Sequence, residues 1–357
     1  MANTRLEKVR AALAERNLDA VLVYKPENRA YLSGFTGTAG WLLITPAKAW
    51  LITDFRYAEQ AATQAPAFEV IKPESTVAAL LATLCEQHQI NRLGIEGDYV
   101  TVDDYSAYEQ ALGERDLVSI AGTIETLRMI KDEAELTLMR RAAAIADETF
   151  SHILSYIKPG VAERDIAVEM EYKMKKLGAE GLAFDIIIAS GVRSAMPHGV
   201  ASDKQIAAGE LVTLDFGAIY QGYCSDMTRT VMVGEPSAQQ REIYAIVLEA
   251  EKRGVAATRA GINGKELDEV CRGYIREHGY AEAFGHSTGH GVGRYIHEGP
   301  KLSVRGETDL LKPGMVVTIE PGIYLSGWGG VRIEDMVLVQ ENGCESFSKS
   351  PRELKIL

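Results

Sequence analysis

Four carboxylates and one imidazole, Asp215, Asp226, Glu320, Glu334 and His290, fall in glycine- or β-rich stretches in the second half of the chain. Two pairs of the acids lie on segments that read as strands, and this constrains the fold more than any other feature. Residues 211–217 set Val212, Leu214 and Phe216 against Thr213, Asp215 and Gly217, the alternation of a half-buried strand. Tyr223 to Val233 reads as the return strand of a hairpin. A turn centred on Tyr220-Gln221 puts Asp215 directly opposite Asp226. Like charges so placed destabilise a sheet, and a cation between them resolves the conflict. The alternative is a register one or two residues away, with one aspartate solvated at an edge.

The second pair follows the same logic. Val316 to Glu320 is a β-branched run halted by Pro321-Gly322, and residues 331–339 form a further expected strand. Alternation places Arg332, Glu334 and Met336 on one face, with Asp335 on the other as a structural acceptor. Arg332 is suited to orienting Glu334 or a substrate carboxylate. His290 stands among Gly289, Gly291 and Gly293, which argue against a helix and for a backbone brought close to a ligand. Four carboxylates and a neutral imidazole in one site require strong positive charge, which two divalent metals supply. An oxygen-rich set with one nitrogen and no thiolate favours Mn²⁺, with Co²⁺ or Zn²⁺ as alternatives.

At 357 residues the chain exceeds one comfortable core, so two domains are expected. The net charge of −12 argues against nucleic acid and anionic membranes as partners. Cys85, Cys224, Cys271 and Cys344 are scattered and read as reduced thiols, Cys224 as a packed thiol near Asp226. The first residues enter an amphipathic helix with no apolar signal core, and the expected location is cytoplasmic. Strands near 18–24, 41–45 and 50–53 alternate with helices near 4–17, 55–63 and 76–89, as in an α/β domain. A boundary is expected near 123, where Ile124 to Lys131 opens a long helix from Asp132 to about Tyr156.

Five runs carry a resemblance: Leu214 to Gly217, Ser225 to Thr230, Gly289 to Gly293, Ile319 to Tyr324, and Val331 to Asp335. In their order and spacing they resemble the Xaa-Pro branch of the pita-bread metallopeptidases (M24). That family includes aminopeptidase P, prolidase, methionine aminopeptidase and the metal-free creatinase. Tyr31 to Gly37 resembles its creatinase-type N-terminal domain. The resemblance implies an α/β (α+β) chain, with a creatinase-like domain over 1–123 and a pita-bread catalytic domain over 124–357. It also implies an Xaa-Pro aminopeptidase that uses two metals to activate water, with proline-containing peptides or dipeptides as substrates. A dipeptidase (prolidase) is the alternative, and a non-catalytic binding protein on the same fold is the alternative of another class. By the same resemblance Asp226 and Glu334 bridge the ions, Asp215 binds one, and His290 and Glu320 bind the other. Glu320 shuttles the proton, and His198 and His297 contact the scissile carbonyl. Arg332 lies at the substrate and His286 nearby. A homodimer is expected.

Overall fold

Leu6, Val9 and Leu13 recur at helical spacing and are buried on one face of the helix Ala2–Glu15. The computed structural model describes residues 2–357, with side chains from Thr4 onward. The first compact unit, Met1–Arg128, is built on a six-stranded mixed sheet. From one edge its strands are Glu69–Ile71, Ala49–Ile52, Trp41–Ile44, Ala20–Val23, Arg92–Ile95 and Asp116–Ser119. Leu22, Leu43 and Trp50 pack in one apolar cluster, and Val21, Val23 and Leu42 in another, as the period of two dictates.

The expected break after residue 123 falls one short helix too early. Ile124 and Leu127, on the helix Thr123–Met129, pack into the first unit's core, so that helix stays with it through Arg128. The long helix opens at Glu133, next to the expected start at Asp132, and runs to Ile153. Asp132 is extended and caps it reciprocally with Glu135, while the Lys131 amide donates to the Gly314 carbonyl.

The second unit, Met129–Leu357, carries four mostly antiparallel sheets covered by the helices Glu133–Ile153, Glu163–Lys176, Ala238–Ala257 and Gly264–Glu277. Val212, Leu214 and Phe216 enter its core as the alternation predicts, leaving Thr213 and Asp215 on the opposite face. The hairpin register differs from the expected one. Ile219 pairs with Cys224 and Asp215 with Thr228, so the turn centres on Gln221-Gly222. Both turn residues have positive φ, 47° and 74°, as a type I′ turn requires. Glycine takes the second position without strain, and that preference outweighs a centre at Tyr220. Asp226 is therefore a diagonal neighbour of Asp215 on the same face rather than its direct partner.

The expected strand 331–339 is two strands. Gly329–Arg332 pairs with Gly322–Leu325, whereas Asp335–Gln340 pairs with Val316–Ile319. The pairing Ile319 with Asp335 and the pairing Gly322 with Arg332 belong to one continuous register. Glu320 and Glu334 thus stand opposite each other in the gap. Pro321, which has no amide hydrogen to give, helps to interrupt the ladder there. His290 lies on the short strand Gly289–Gly291, and a Cβ on either glycine would come within 2.0 Å of the Thr318 or 1.9 Å of the Gly299 carbonyl oxygen. The Gly-His-Gly run lets neighbouring backbone close around the imidazole.

A non-glycine residue in the left-handed region costs free energy that asparagine partly relieves. Gln221→Asn should stabilise the protein by roughly 0.5–1 kcal/mol. The check is the urea midpoint at unchanged slope; an unchanged or lower midpoint contradicts the turn assignment.

Candidate metal centre

One ligand atom each from Asp215, Asp226 and Glu334 lie within 4.8 Å of one another. His290 joins them, its Nε2 lying 3.6 Å from both Asp226 Oδ2 and Glu320 Oε1. The hairpin thus delivers two acids, the interrupted ladder two more, and the Gly-His-Gly strand the imidazole. All five expected residues line one cavity of about 850 Å³, together with His198, His297, His286 and Arg332.

Polar neighbours hold Asp215, Glu320, Glu334 and His290. Thr228 Oγ1 donates to Glu334 Oε2 at 2.5 Å and accepts from Arg332 Nε at 3.1 Å. Thr318 Oγ1 accepts from the His290 amide at 3.1 Å and donates to Glu320 Oε1 at 3.4 Å. Arg332 Nη2 donates to Asp215 Oδ2 at 2.6 Å, and Nη1 to the Tyr324 hydroxyl at 2.8 Å and the Pro197 carbonyl at 3.2 Å. Arg332 was expected beside Glu334; it reaches that acid through Thr228 and grips Asp215 directly. His286 Nε2 lies 2.8 Å from the Tyr324 hydroxyl. The rings of His290 and His297 are 4.5 Å apart. Asp335 turns away, accepting from Arg229, Ser346 and Arg352. Cys224 is buried in a neighbouring apolar cluster.

Thr228, Thr318 and Tyr324 are the participants that sequence reading did not single out. Alternation marks Thr228, two residues past Asp226, and Thr318, two before Glu320. Nothing local marks Tyr324, because its role depends on where Arg332 and His286 arrive from.

The electrostatics ask for a cation. Burial, and then the charge of Glu334, hold Asp226 and Glu320 well above the usual carboxylate range. Burial and Asp215 push Glu334 up to about 8. Burial lowers His290 to about 4, leaving its imidazole neutral and fit to ligate. Asp215 Oδ1 is buried and has no hydrogen-bond partner among the described residues. An orphaned carboxylate oxygen, clustered acids and a neutral imidazole together match the donor set of divalent metals.

These shifts fix the pH response of the metal-free protein. Glu334 keeps its proton in the fold up to about pH 8, whereas unfolding returns it to its ordinary value of 4.5. Its contribution to stability is fully present below about pH 4.5 and is lost as pH rises through about 8. His290 and His286, both held down near 4 from 6.5, act oppositely, but only below about pH 6.5. The melting temperature of metal-free protein should therefore fall between about pH 6.5 and 8, and saturating divalent metal should shrink the decline to the share of Glu251, a non-ligand also pushed up to about 8. A scanning calorimetry series with and without metal measures this; a metal-free melting temperature that rises across that window refutes it.

The chain is similar to known proteins along its whole length. Residues 137–341 match Metallopeptidase family M24, and residues 5–130 match the Creatinase/Prolidase N-terminal domain. A solved structure described as an Xaa-Pro dipeptidase from Bacillus anthracis is 50% identical, with a TM-score of 0.98 and coverage of 100% of both chains. The Xaa-Pro dipeptidase of Pyrococcus furiosus is 44% identical over 359 residues, 98% of this chain and 99% of that one. The crystal structure of an X-Pro aminopeptidase from Thermotoga maritima is 41% identical, with a TM-score of 0.91, covering 96% of this chain and 99% of that one. With more than half its length matched and relatives this similar along the whole chain, the protein belongs to metallopeptidase family M24.

Proposed function

We propose that the protein is an Xaa-Pro dipeptidase that works with two divalent metal ions. The observation that carries this reading is the convergence of Asp215, Asp226 and Glu334 within 4.8 Å, with His290 and Glu320 closing the other side. Asp226 and Glu334 would be shared by both ions, Asp215 would hold one, and His290 with Glu320 the other. Bound there, the ions would polarise the scissile carbonyl and lower the pKa of a water toward neutrality. Mn²⁺ suits a set of oxygens with one imidazole, and Co²⁺ and Zn²⁺ are compatible with it.

The side chains divide the remaining work. Glu320 receives the proton of the attacking water and passes it to the leaving prolyl nitrogen. His198 and His297 line the same cavity and hydrogen-bond the carbonyl oxygen as negative charge builds on it. Arg332 donates to Asp215, Thr228, Tyr324 and the Pro197 carbonyl, with one of its five N–H groups left over for a substrate carboxylate. A prolyl nitrogen in peptide linkage carries no hydrogen, so shape rather than amide hydrogen bonding must select it. Phe184, Ile187 and Val200 contribute apolar wall for the ring. The protein acts in the cytoplasm as a homodimer in this reading.

The cavity, about 850 Å³, is roomier than a dipeptide needs, and the Thermotoga relative bears the aminopeptidase name. These two observations keep an Xaa-Pro aminopeptidase as the second reading.

A Mn²⁺-supplemented assay with Gly-Pro, an Xaa-Pro-Xaa tripeptide and a proline-free peptide separates the two. Cleavage of Gly-Pro alone is expected; tripeptide cleavage selects the aminopeptidase, and no cleavage of any leaves a binding protein. Asp226→Asn and Glu334→Gln should each reduce turnover by at least about 10³-fold and lower metal content together. Wild-type turnover in either variant would sink the ligand assignment.

A further inference from the structure

His198 is exposed at the cavity, and among the described residues no hydrogen bond or ion pair fixes its ring. Its position is set by the backbone of the segment from Ser190 to Ser202. One buried carboxylate holds both ends of that segment. Glu163, fully buried in the first turn of the helix Glu163–Lys176, accepts at Oε1 from the Ser190 amide and hydroxyl, each at 2.8 Å. At Oε2 it accepts from the Ser202 hydroxyl at 2.6 Å, the Ser202 amide at 3.2 Å, and Arg193. Arg193 Nη2 in turn donates to the Val200 carbonyl at 2.9 Å, tying the middle of the loop to its far side. Ser194 Oγ accepts from the Gly330 amide at 2.8 Å, which seats the loop on the strand leading to Arg332 and Glu334.

We infer that Glu163 is a positioning residue for catalysis: through Ser190, Arg193 and Ser202 it preorganises the loop that presents His198 to the scissile carbonyl. This rests on the Xaa-Pro peptidase reading and on His198 acting there. Fixing the loop beforehand means that the backbone carrying the imidazole need not be ordered as charge develops. The benefit therefore falls on turnover rather than on substrate affinity. Glu163 lies outside the ligand set and the cavity lining, so its loss should leave metal binding intact.

The test is a double-mutant cycle with Mn²⁺-loaded protein on Gly-Pro. His198→Ala should lower kcat about 10²–10³-fold. Glu163→Gln should lower kcat about 10–100-fold with KM within about twofold and metal content unchanged. The double variant should match His198→Ala to within about twofold, because a loop without its imidazole has nothing left to position. Arg193→Gln, made at the partly exposed end of the same network, should give a smaller loss with the same non-additivity. It also provides the reading should Glu163→Gln fail to fold. Losses that multiply, or a folded Glu163→Gln with wild-type kcat, overturn the inference while leaving the peptidase reading intact. Absence of Gly-Pro cleavage by the wild type overturns that reading instead.

Discussion

The mutual repulsion of four clustered carboxylates, three of them buried and Glu320 partly so, is the constraint on which the rest of the catalytic unit depends. Asp226, Glu320 and Glu334 do not ionise independently, because burial and the charge of neighbouring acids hold all three above the usual carboxylate range. One built-in cation, Arg332, contacts Asp215 directly and Glu334 through Thr228. A single guanidinium cannot balance four acids. The shortfall is what a pair of divalent metals would fill, and the interrupted ladder serves it: at the gap the Glu320 amide turns to the Thr288 carbonyl and the Glu334 amide to the Thr228 carbonyl.

A second charged network stabilises the back of that gap. Arg229 Nη1 donates to the Glu334 carbonyl at 2.6 Å, and its Nη2 to Asp335 Oδ1 and the Ser350 carbonyl, both at 2.7 Å. Arg352 Nε reaches Asp335 Oδ2 at 2.7 Å and lies 3.2 Å from Glu251, which burial pushes up to about 8. Removing one member of such a network leaves a buried charge uncompensated, which typically costs 3–5 kcal/mol. The ends of two strands are therefore pinned where a simple ladder would have continued.

The five ligand candidates were legible because their chemistry and their local pattern agree. Asp215 stands on the polar face of a strand whose apolar face needs Val212, Leu214 and Phe216 buried. His290 sits between glycines that only close backbone packing explains. Register was less legible. The alternation of residues 223–233 is compatible with several turn centres, and the choice of Gln221-Gly222 comes from the φ angles a twisted hairpin demands. The division of 331–339 into two strands was hidden as well. Its alternation of apolar and charged residues runs only from Val331 to Glu334, and the break itself arises from two different pairing partners, one on each side of Pro321.

Sequence by itself determined which residues carry charge, which faces of the strands are polar, and that a cation is required, because these follow from side-chain chemistry and a period of two. It also marked Asp335 as the residue facing away. Tertiary structure decided that Asp215 meets Thr228, that Arg332 grips Asp215 while reaching Glu334 through Thr228, and that Tyr324 joins His286 to Arg332. It decided too that Glu163, distant in sequence from every acid in the cluster, closes the loop bearing His198. Those contacts join segments far apart along the chain, and no local propensity encodes which of them will meet. Only the packing of the whole unit does.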